Sequence, residues 1–335
     1  MNKISIALCT YNGAKFLPEQ LESYLHQTRL PDELIVCDDC STDNTPQIIQ
    51  EFTLKAPFPV HLHINEKNLR STKNFERAIS LCTGDLIFLS DQDDYWMPEK
   101  LEKIAAEFEK NEKIGMVFSD AELVDENLKS LNRRLWNHTF TKDRRADVSN
   151  GKIFDVLLSE NVVTGAAMAF RSEYRKVFMP IPDDIPNLIH DGWISLLIAN
   201  ESKVAFISEP LIKYRQHSAQ QFGIGYKTNS NLNFIRRKKH FAASIEFNRK
   251  ERDRINKLER IIASHSQFAE RRDPIFFNAL RSEKAEKEKH YEARMNLPLP
   301  RVGRIFPVCR EFWTKRYHRF SNGILSVMKD LLEKW

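Results

Sequence analysis

The stretch Leu86–Trp96, LIFLSDQDDYW, closes an apolar run with three carboxylates in four residues: Asp91, Asp93 and Asp94. Carboxylates this close repel, and one is pushed toward protonation unless a cation sits among them. An EF-hand loop would continue with Asp or Asn at the next alternate position and then Gly, but Tyr95 and Trp96 follow instead. One or two carboxylates at a strand end suit a hard divalent ion that keeps water and shares its other positions with substrate phosphates. The pattern points to Mg²⁺ or Mn²⁺ holding a diphosphate. Asp191 is a second candidate, following His190 and opening an apolar helical stretch. Asp is common at a helix N-cap, and a carboxylate within hydrogen-bond reach of an acceptor hydroxyl can act as general base.

The elements that must position these residues alternate. ISIAL, LIVCDD, VHLHIN, LIFLS and IGMVFSDAELVD read as strands. Between them KFLPEQLESYLHQ, TPQIIQEFTL with Asp43 as cap, STKNFERAISLC opened by Ser71 or Thr72, and PEKLEKIAAEFEK with Pro98 in its first turn read as helices. Repeated β-α-β-α with apolar strands implies a parallel sheet covered on both faces. Sites in such sheets lie at the carboxyl ends of strands, near a switch in strand order. Three strands end in polar clusters: Thr10-Tyr11-Asn12, Asp38-Asp39 and Asp91 to Asp94. Their convergence on one edge is the main physical indication of a site. No G-x-x-x-x-G-K-[ST] occurs and no G-x-G-x-x-G follows the first strand, so a nucleotide must be gripped by side chains. Asp39 on base or ribose and Arg70 on phosphate are the candidates, with a plain surface charge as the other reading of Arg70. Further on, IFDVLLSEN and HDGWISLLIANES read as helices, and TGAAMAFR, KVAFI and LIKYRQH as strands. From about residue 225 the pattern is helical and basic, with NLPLPRVGRIFP as a joint before a last helix.

The chain has 335 residues, 41% hydrophobic and 29% charged, which is ordinary for a soluble globular protein of one large domain plus an extension, or of two domains. No apolar run of about 18 residues is long enough to span a bilayer. The opening MNKISIALCTYNG reads as a first strand rather than a leader, so the expected compartment is the cytoplasm. Five scattered cysteines argue against a disulfide framework. Cys37 and Cys40 form CDDC, but two further zinc ligands at matching spacing are not evident, and Asp38 and Asp39 would raise a thiol pKa. They read as small hydrophobes flanking a functional acid pair. The net charge of +5 is uneven: the early part is rich in Asp, and RRKKH, RKERDR and TKRYHRF crowd the tail, which suggests an anionic partner there.

Together, ISIALCTYNGAKFLPEQLESYLHQT, ELIVCDDCSTDNT, NLRSTKNFERAI, GDLIFLSDQDDYWMPEKL, TGAAMAFR, HDGWISLLI and YRQHSAQQFG resemble the family 2 glycosyltransferases of the GT-A fold, in family order. The rhamnosyltransferase-like members that build bacterial surface polysaccharides are the nearest in pattern. The resemblance covers about residues 1 to 225 and implies a GT-A glycosyltransferase domain there, an α/β fold with a Rossmann-like mixed sheet flanked by helices. Residues 226–335 form a basic helical C-terminal region outside it. It implies inverting transfer of a sugar from a UDP- or dTDP-linked donor to a hydroxyl of a glycan or lipid-linked acceptor. Carried onto this chain, Thr10, Tyr11 and Asn12 line the nucleotide site, Asp39 binds base or ribose, and Arg70 lies near the nucleotide. Asp91 and Asp93 match the family's D-x-D, with Asp93 the likelier direct ligand of Mg²⁺ or Mn²⁺, and Asp191 matches its catalytic base. Tyr214–His217, YRQH, resembles a loop that folds over the donor, with His217 at metal or diphosphate.

The last segment, RIFPVCREFWTKRYHRFSNGILSVMKDLLEKW, mixes aromatic and apolar residues with Arg and Lys, as in a helix lying in a membrane interface. Packing on the catalytic domain or on a second subunit is the alternative. The resemblance, through its lipid-linked acceptors, implies peripheral association with the inner face of the plasma membrane. Two other functions fit less well. A sugar nucleotidyltransferase would want a Gly-rich loop bearing Arg and Lys after the first strand, where TYNGAKF stands. A basic scaffold or nucleic-acid binder would act through RRKKH, but no nucleic-acid motif accompanies it, so no nucleic acid is expected.

Overall fold

The computed structural model describes residues 1–137, 139–217, 220, 234–264 and 274–332, with the backbone alone for 234–237. The chain divides into two compact units, Met1–Asp184 with Leu188–Gly225, and Ile185–Asn187 with Tyr226–Trp335. The expected join at 225/226 lies outside the described residues.

The first unit runs β1 (Ile4–Thr10), α1 (Leu17–Leu25), β2 (Glu33–Asp38), α2 (Thr45–Thr53), β3 (Val60–Ile64), α3 (Arg70–Leu81), β4 (Leu86–Ser90), β5 (Tyr95–Trp96) and α4 (Lys100–Lys110). It continues β6 (Ile114–Val124), β7 (Ser130–Arg134), α5 (Lys142–Ser149), α6 (Ile153–Ser159), β8 (Met168–Arg171), α7 (Arg175–Phe178), α8 (His190–Glu201) and β9 (Lys203–Arg215). One sheet has the order β3-β2-β1-β4-β8-β6-β9-β5, with β7 paired on β6. The first four strands are parallel. β8 is antiparallel to both β4 and β6, and β5 is antiparallel to β9. The alternating pattern predicts a parallel sheet; the observed sheet is mixed, as the family resemblance implies, because β8 follows α5 and α6 and enters antiparallel between β4 and β6. Strand order reverses at β1, which lies between β2 and β4, so the loops after β1 and β4 face one crevice.

Every residue of β1, β2 and β4 is buried, which explains their near-continuous apolar sequences. The edge strand β3 is partly exposed and carries His61 and His63, which blunt an open edge. Phe118 on β6, Phe206 on β9, Trp136 and Phe140 pack ring on ring with centroids 4.9 to 6.1 Å apart, anchoring the 135–140 turn to the sheet. KVAFI and LIKYRQH, read as two short strands, form the single β9, bulged against β6. In TGAAMAFR, Gly165–Ala167 make a 3-10 turn and the strand begins only at Met168.

Two expected caps differ. Asn44, not Asp43, occupies the cap position of α2, though Asp43 accepts the Thr45 N–H at 3.0 Å. Helix α3 begins at Arg70, ahead of Ser71 and Thr72, because a distant acid satisfies its first amides.

The second unit contains α9 (Phe234–Ser264), α10 (Pro274–Met295), α11 (Arg301–Trp313), α12 (Arg316–Phe320) and α13 (Ile324–Leu332). The stretch NLPLPRVGRIFP is a joint only up to Pro300: α11 begins at Arg301 with Pro307 inside it, and three helices rather than one complete the described residues. Leu297, Val308 and Tyr317 form a small core against Val327 and Leu331. Buried charge completes it: Asp330 accepts from Arg294 at 2.7 and 3.2 Å and from the Tyr317 hydroxyl at 2.6 Å. His290 lies fully buried between Glu311 at 3.1 Å and Ser321 at 3.3 Å.

Truncating one member of a buried ion pair strands the other. Asp330→Ala is expected to cost about 3–5 kcal/mol, read by denaturant unfolding. The double replacement Arg294→Met with Asp330→Leu is expected to recover most of that loss.

Candidate active site

The acidic cluster at the end of β4 is compensated from within the protein. Asp94 is fully buried; its Oδ1 accepts the Arg215 N–H at 3.1 Å, and its Oδ2 has no hydrogen-bond partner among the described residues. Burial, then Asp93 and Asp91, push Asp94 well above the usual carboxylate range, while the Arg215 N–H and Lys100 oppose the rise. Lys100, in the first turn of α4, is also fully buried. Its ammonium donates to the Ala166 carbonyl at 2.5 Å and sits 3.6 Å from the centre of the Trp96 ring. Burial pulls Lys100 well below its ordinary value, and Asp94 and Asp91 pull it back up.

Arg215, at the end of β9, closes the cluster. Its Nε donates to the Asp93 carbonyl at 2.7 Å, its Nη1 to the Glu126 carbonyl, and its Nη2 to Glu19 of α1 at 2.5 Å. The guanidinium also lies 4.6 Å from the Phe16 ring centre. Two residues on, His217 Nε2 is 2.8 Å from Asp93 Oδ2, and its ring packs on Phe16 at 4.6 Å. The Asp91 carboxylate accepts no hydrogen bond from the described residues, and on Asp93 only Oδ2 is engaged. Burial, then Asp93 and Asp191, push Asp91 up to about 7. Among the described residues no three His, Cys, Asp or Glu form a closed metal-binding group. Two hard carboxylates with uncommitted oxygens instead fit a divalent ion whose remaining positions go to water and phosphate. Of the YRQHSAQQFG motif, Ser218, Ala219 and residues 221–223 lie outside the described residues.

The loops after β1 and β2 are interlocked. Thr10 is buried and donates to Asp38 at 2.8 Å, and Asp38 also accepts from the Ser41 amide and hydroxyl. Asn12 donates its N–H to Ser41 and accepts the Thr42 N–H, both at 2.8 Å. Tyr11 presents an exposed ring, while its backbone N–H and carbonyl are both held by the Gln92 amide, at 2.8 and 3.0 Å. Gly13 makes room for that amide: a Cβ there would fall 2.1 Å from Gln92 Oε1 and displace it. Asp39 is buried and accepts from Asn65 Nδ2 and the Leu69 N–H at 2.7 Å and from the Arg70 N–H at 2.9 Å. It thus caps α3 from another strand end. The Arg70 guanidinium is exposed and has no ion pair among the described residues. Cys37 and Cys40 are both free thiols, with Cys37 buried in β2.

Asp191 reaches the same edge from α8. The cap position belongs to Ile189, so Asp191 lies inside the first turn rather than at the cap. Its Oδ1 accepts from Asn161 Nδ2 at 3.0 Å and the Gly192 N–H at 2.6 Å; its Oδ2 accepts only the Gly165 N–H, at 3.0 Å. A Cβ on Gly165 would meet His190 Nε2 at 3.1 Å and Asp191 Cβ at 3.4 Å, so glycine permits this approach. Burial pushes Asp191 up to about 6, against these three bonds. His190 stacks on Phe75 at 4.0 Å, and burial holds it down to about 3, so it stays neutral.

The sequence places the 10–12 loop, Asp38-Asp39 and Asp91 to Asp94 at one edge, and the family resemblance adds Asp191 and His217 to that site. Sequence reasoning missed Gln92, Lys100, Asn161, Gly165 and Arg215. The lone glycine after β1 was the only signal for Gln92. Lys100 reads as a solvated helix charge, and nothing in one sequence links residue 215 to residue 19.

Comparison with known proteins bears on the fold and on family similarity. Residues 5–163 match the family model described as Glycosyl transferase family 2. An uncharacterized glycosyltransferase of Nostoc sp. is 28% identical over 225 residues, 65% of this chain and 66% of its own length. An uncharacterized protein of Mycobacterium tuberculosis is 27% identical over 226 residues, 64% of this chain and 59% of its own. The chain thus spans less than two thirds of these curated relatives. Among solved structures, S. aureus TarS 1-349 in complex with UDP superposes with a TM-score of 0.51 at 16% identity, covering 98% of this chain and 89% of that one. The mannosyltransferase PcManGT from Pyrobaculum calidifontis, in complex with GDP-Man and Mn²⁺, gives 0.56 at 15% identity, covering 100% and 88%. The fold is the GT-A nucleotide-sugar transferase fold with a helical C-terminal region. Residues 5–163, which carry the loops after β1, β2 and β4, are thus similar to glycosyl transferase family 2 domains.

Asp39→Ala removes the acceptor for two first-turn amides of α3. A loss of about 1–2 kcal/mol is expected, with faster hydrogen exchange at Leu69 and Arg70 and little change at α1.

Proposed function

We propose that this protein transfers a sugar from a nucleoside diphosphate donor to an acceptor hydroxyl, with inversion, and that Asp191 is the general base. The observation that carries this reading is a buried carboxylate, tethered by three N–H donors, within electrostatic reach of the uncommitted acids at the end of β4. Asp191 Oδ2 accepts one bond and keeps a lone pair for the acceptor proton. A pKa near 6 suits a base at neutral pH, since the group is ionised yet basic enough to bind a proton in the transition state.

On the donor side, the exposed Tyr11 ring offers a surface for the base, and Arg70 offers a free cation to the phosphates. Thr10, Asn12 and Asp39 act by holding those two in place, and Asp39 has one oxygen with room for a ribose hydroxyl or base N–H. Asp93, with Asp91, would hold Mg²⁺ or Mn²⁺, which supplies positive charge to the departing diphosphate. His217 packs over Asp93 and orders the YRQH segment at the donor. One base and one direct displacement give inversion at the sugar carbon. The sequence pattern suggests a deoxyhexosyl or hexosyl donor carried on UDP or dTDP, and a glycan or lipid-linked acceptor of a bacterial surface polysaccharide; TarS with UDP and PcManGT with GDP-Man support a nucleoside diphosphate sugar as the donor class. A thermal-shift screen of sugar nucleotides with and without Mn²⁺ identifies the donor, and release of nucleoside diphosphate rather than pyrophosphate identifies glycosyl transfer.

Asp191→Asn is expected to leave the donor Kd within about twofold while lowering kcat by at least about 10²-fold. Lost donor affinity with retained turnover would overturn the assignment. Asp93→Ala is expected to abolish the Mn²⁺ dependence of donor binding in calorimetric titrations. For the wild type, the base works only when ionised, so kcat/KM should rise with pH through about 6 and level off above it. A rate that is flat from pH 5 to 8 would exclude Asp191 as the titrating base.

A further inference from the structure

The second unit leaves two apolar stripes uncovered. On α11, Val302, Phe306 and Trp313 are 79%, 75% and 84% exposed, and they recur at helical spacing opposite the buried Arg304, Val308 and Glu311. On α13, Ile324, Leu325 and Met328 are at least half exposed, opposite the buried Ser326 and Asp330. A helix whose inner face already packs a core has no folding reason to carry large apolar residues outside.

Charge identifies what covers them. Between Arg301 and Leu332 stand seven Lys and Arg against two acids, Glu311 and Asp330. Both acids are buried and paired, Glu311 with His290 and Arg316, Asp330 with Arg294 and Tyr317. Arg301, Arg310, Lys315, Arg319 and Lys329 are exposed. The outer surface of α11 to α13 is therefore apolar and cationic, with no exposed carboxylate among its described residues. A symmetric pairing of two copies through this face would set cation against cation. A bilayer surface supplies both missing components, acyl chains for the stripes and anionic headgroups for the flanks. Neither helix is long and apolar enough to cross a membrane.

We infer that α11 and α13 bind in the plane of an anionic lipid surface, with Phe306 and Trp313 inserted and Arg310, Lys315 and Lys329 at the headgroups. The inference concerns this unit alone and does not rest on the transferase reading. The test is co-sedimentation of the full chain with phosphatidylglycerol-containing vesicles and with pure phosphatidylcholine vesicles, at low and high salt. Strong, salt-sensitive binding to the anionic vesicles alone is expected. Phe306→Ser with Trp313→Ser, and separately Arg310→Glu with Lys315→Glu, should each weaken it at least about tenfold. All four positions are exposed, and unchanged circular dichroism melting checks that each variant is folded. Absence of vesicle binding, binding equal on both compositions, or a concentration-dependent dimer lost in Phe306→Ser with no vesicle binding would each overturn the inference. Because sedimentation needs no sugar nucleotide, either reading can fail while the other stands.

Discussion

Everything at the carboxyl edge of the sheet depends on keeping three acids together at the end of β4. Two unit charges a few ångströms apart in a poorly solvated place repel by several kcal/mol, and Asp94 is entirely buried. The protein answers with groups drawn from far along the chain. Lys100 comes from the next helix, and the Arg215 N–H and the His217 ring come from the end of β9. The pairing of β9 with both β6 and β5 is what delivers residues 215–217 beside residues 93–94. Arg215 then fastens Asp93, Glu126 and Glu19 to one another, so the loop after β4, the loop after β6 and helix α1 share a single tie. Asp91 and one oxygen of Asp93 are the part of the cluster left for something else.

The same compensation shows why some of this was legible in the sequence and some was not. Near-continuous apolar strands ending in Thr-Tyr-Asn, Asp-Asp or Asp-Gln-Asp-Asp announce a parallel core and its polar edge, and β1, β2 and β4 lie where the apolar runs put them. Local signals also mark most helices to within a few residues. What failed was non-local. The start of α3 is set by Asp39, thirty-one residues away from Arg70, so Ser71 and Thr72 misled as caps. The antiparallel β8 and the two-residue β5 owe their existence to partners distant in sequence, and a run such as TGAAMAFR does not encode which strand it will meet. Lys100 is indistinguishable in sequence from any solvated helix lysine; only its burial against Trp96 separates it.

Asp91 and Asp191 show how one edge gives two acids different work. Both are pushed up by burial, to about 7 and about 6. Asp191 is pinned by Asn161, Gly165 and Gly192, so its orientation is fixed before any ligand arrives. Asp91 has no such donors and lies next to a second carboxylate. A tethered acid with a spare lone pair is built to take a proton along one direction, whereas an untethered acid beside another is built to share a cation.

Strain at this edge points the same way. Asn12, Cys40 and Arg70 have φ of 49°, 65° and 64°, a left-handed conformation that non-glycine residues adopt at a cost of about 1–3 kcal/mol each. They follow β1, β2 and β3 in turn, Arg70 as the first residue of α3. Each is held by bonds to another part of the edge: Asn12 by Ser41 and Thr42, Cys40 by the Asn65 carbonyl, and Arg70 by Asp39. Strain retained through such cross-bonds is strain that relaxation of one loop cannot release. The loops are therefore set in their working shape by the fold itself, and a ligand that enters there does not have to bear the entropy of ordering them.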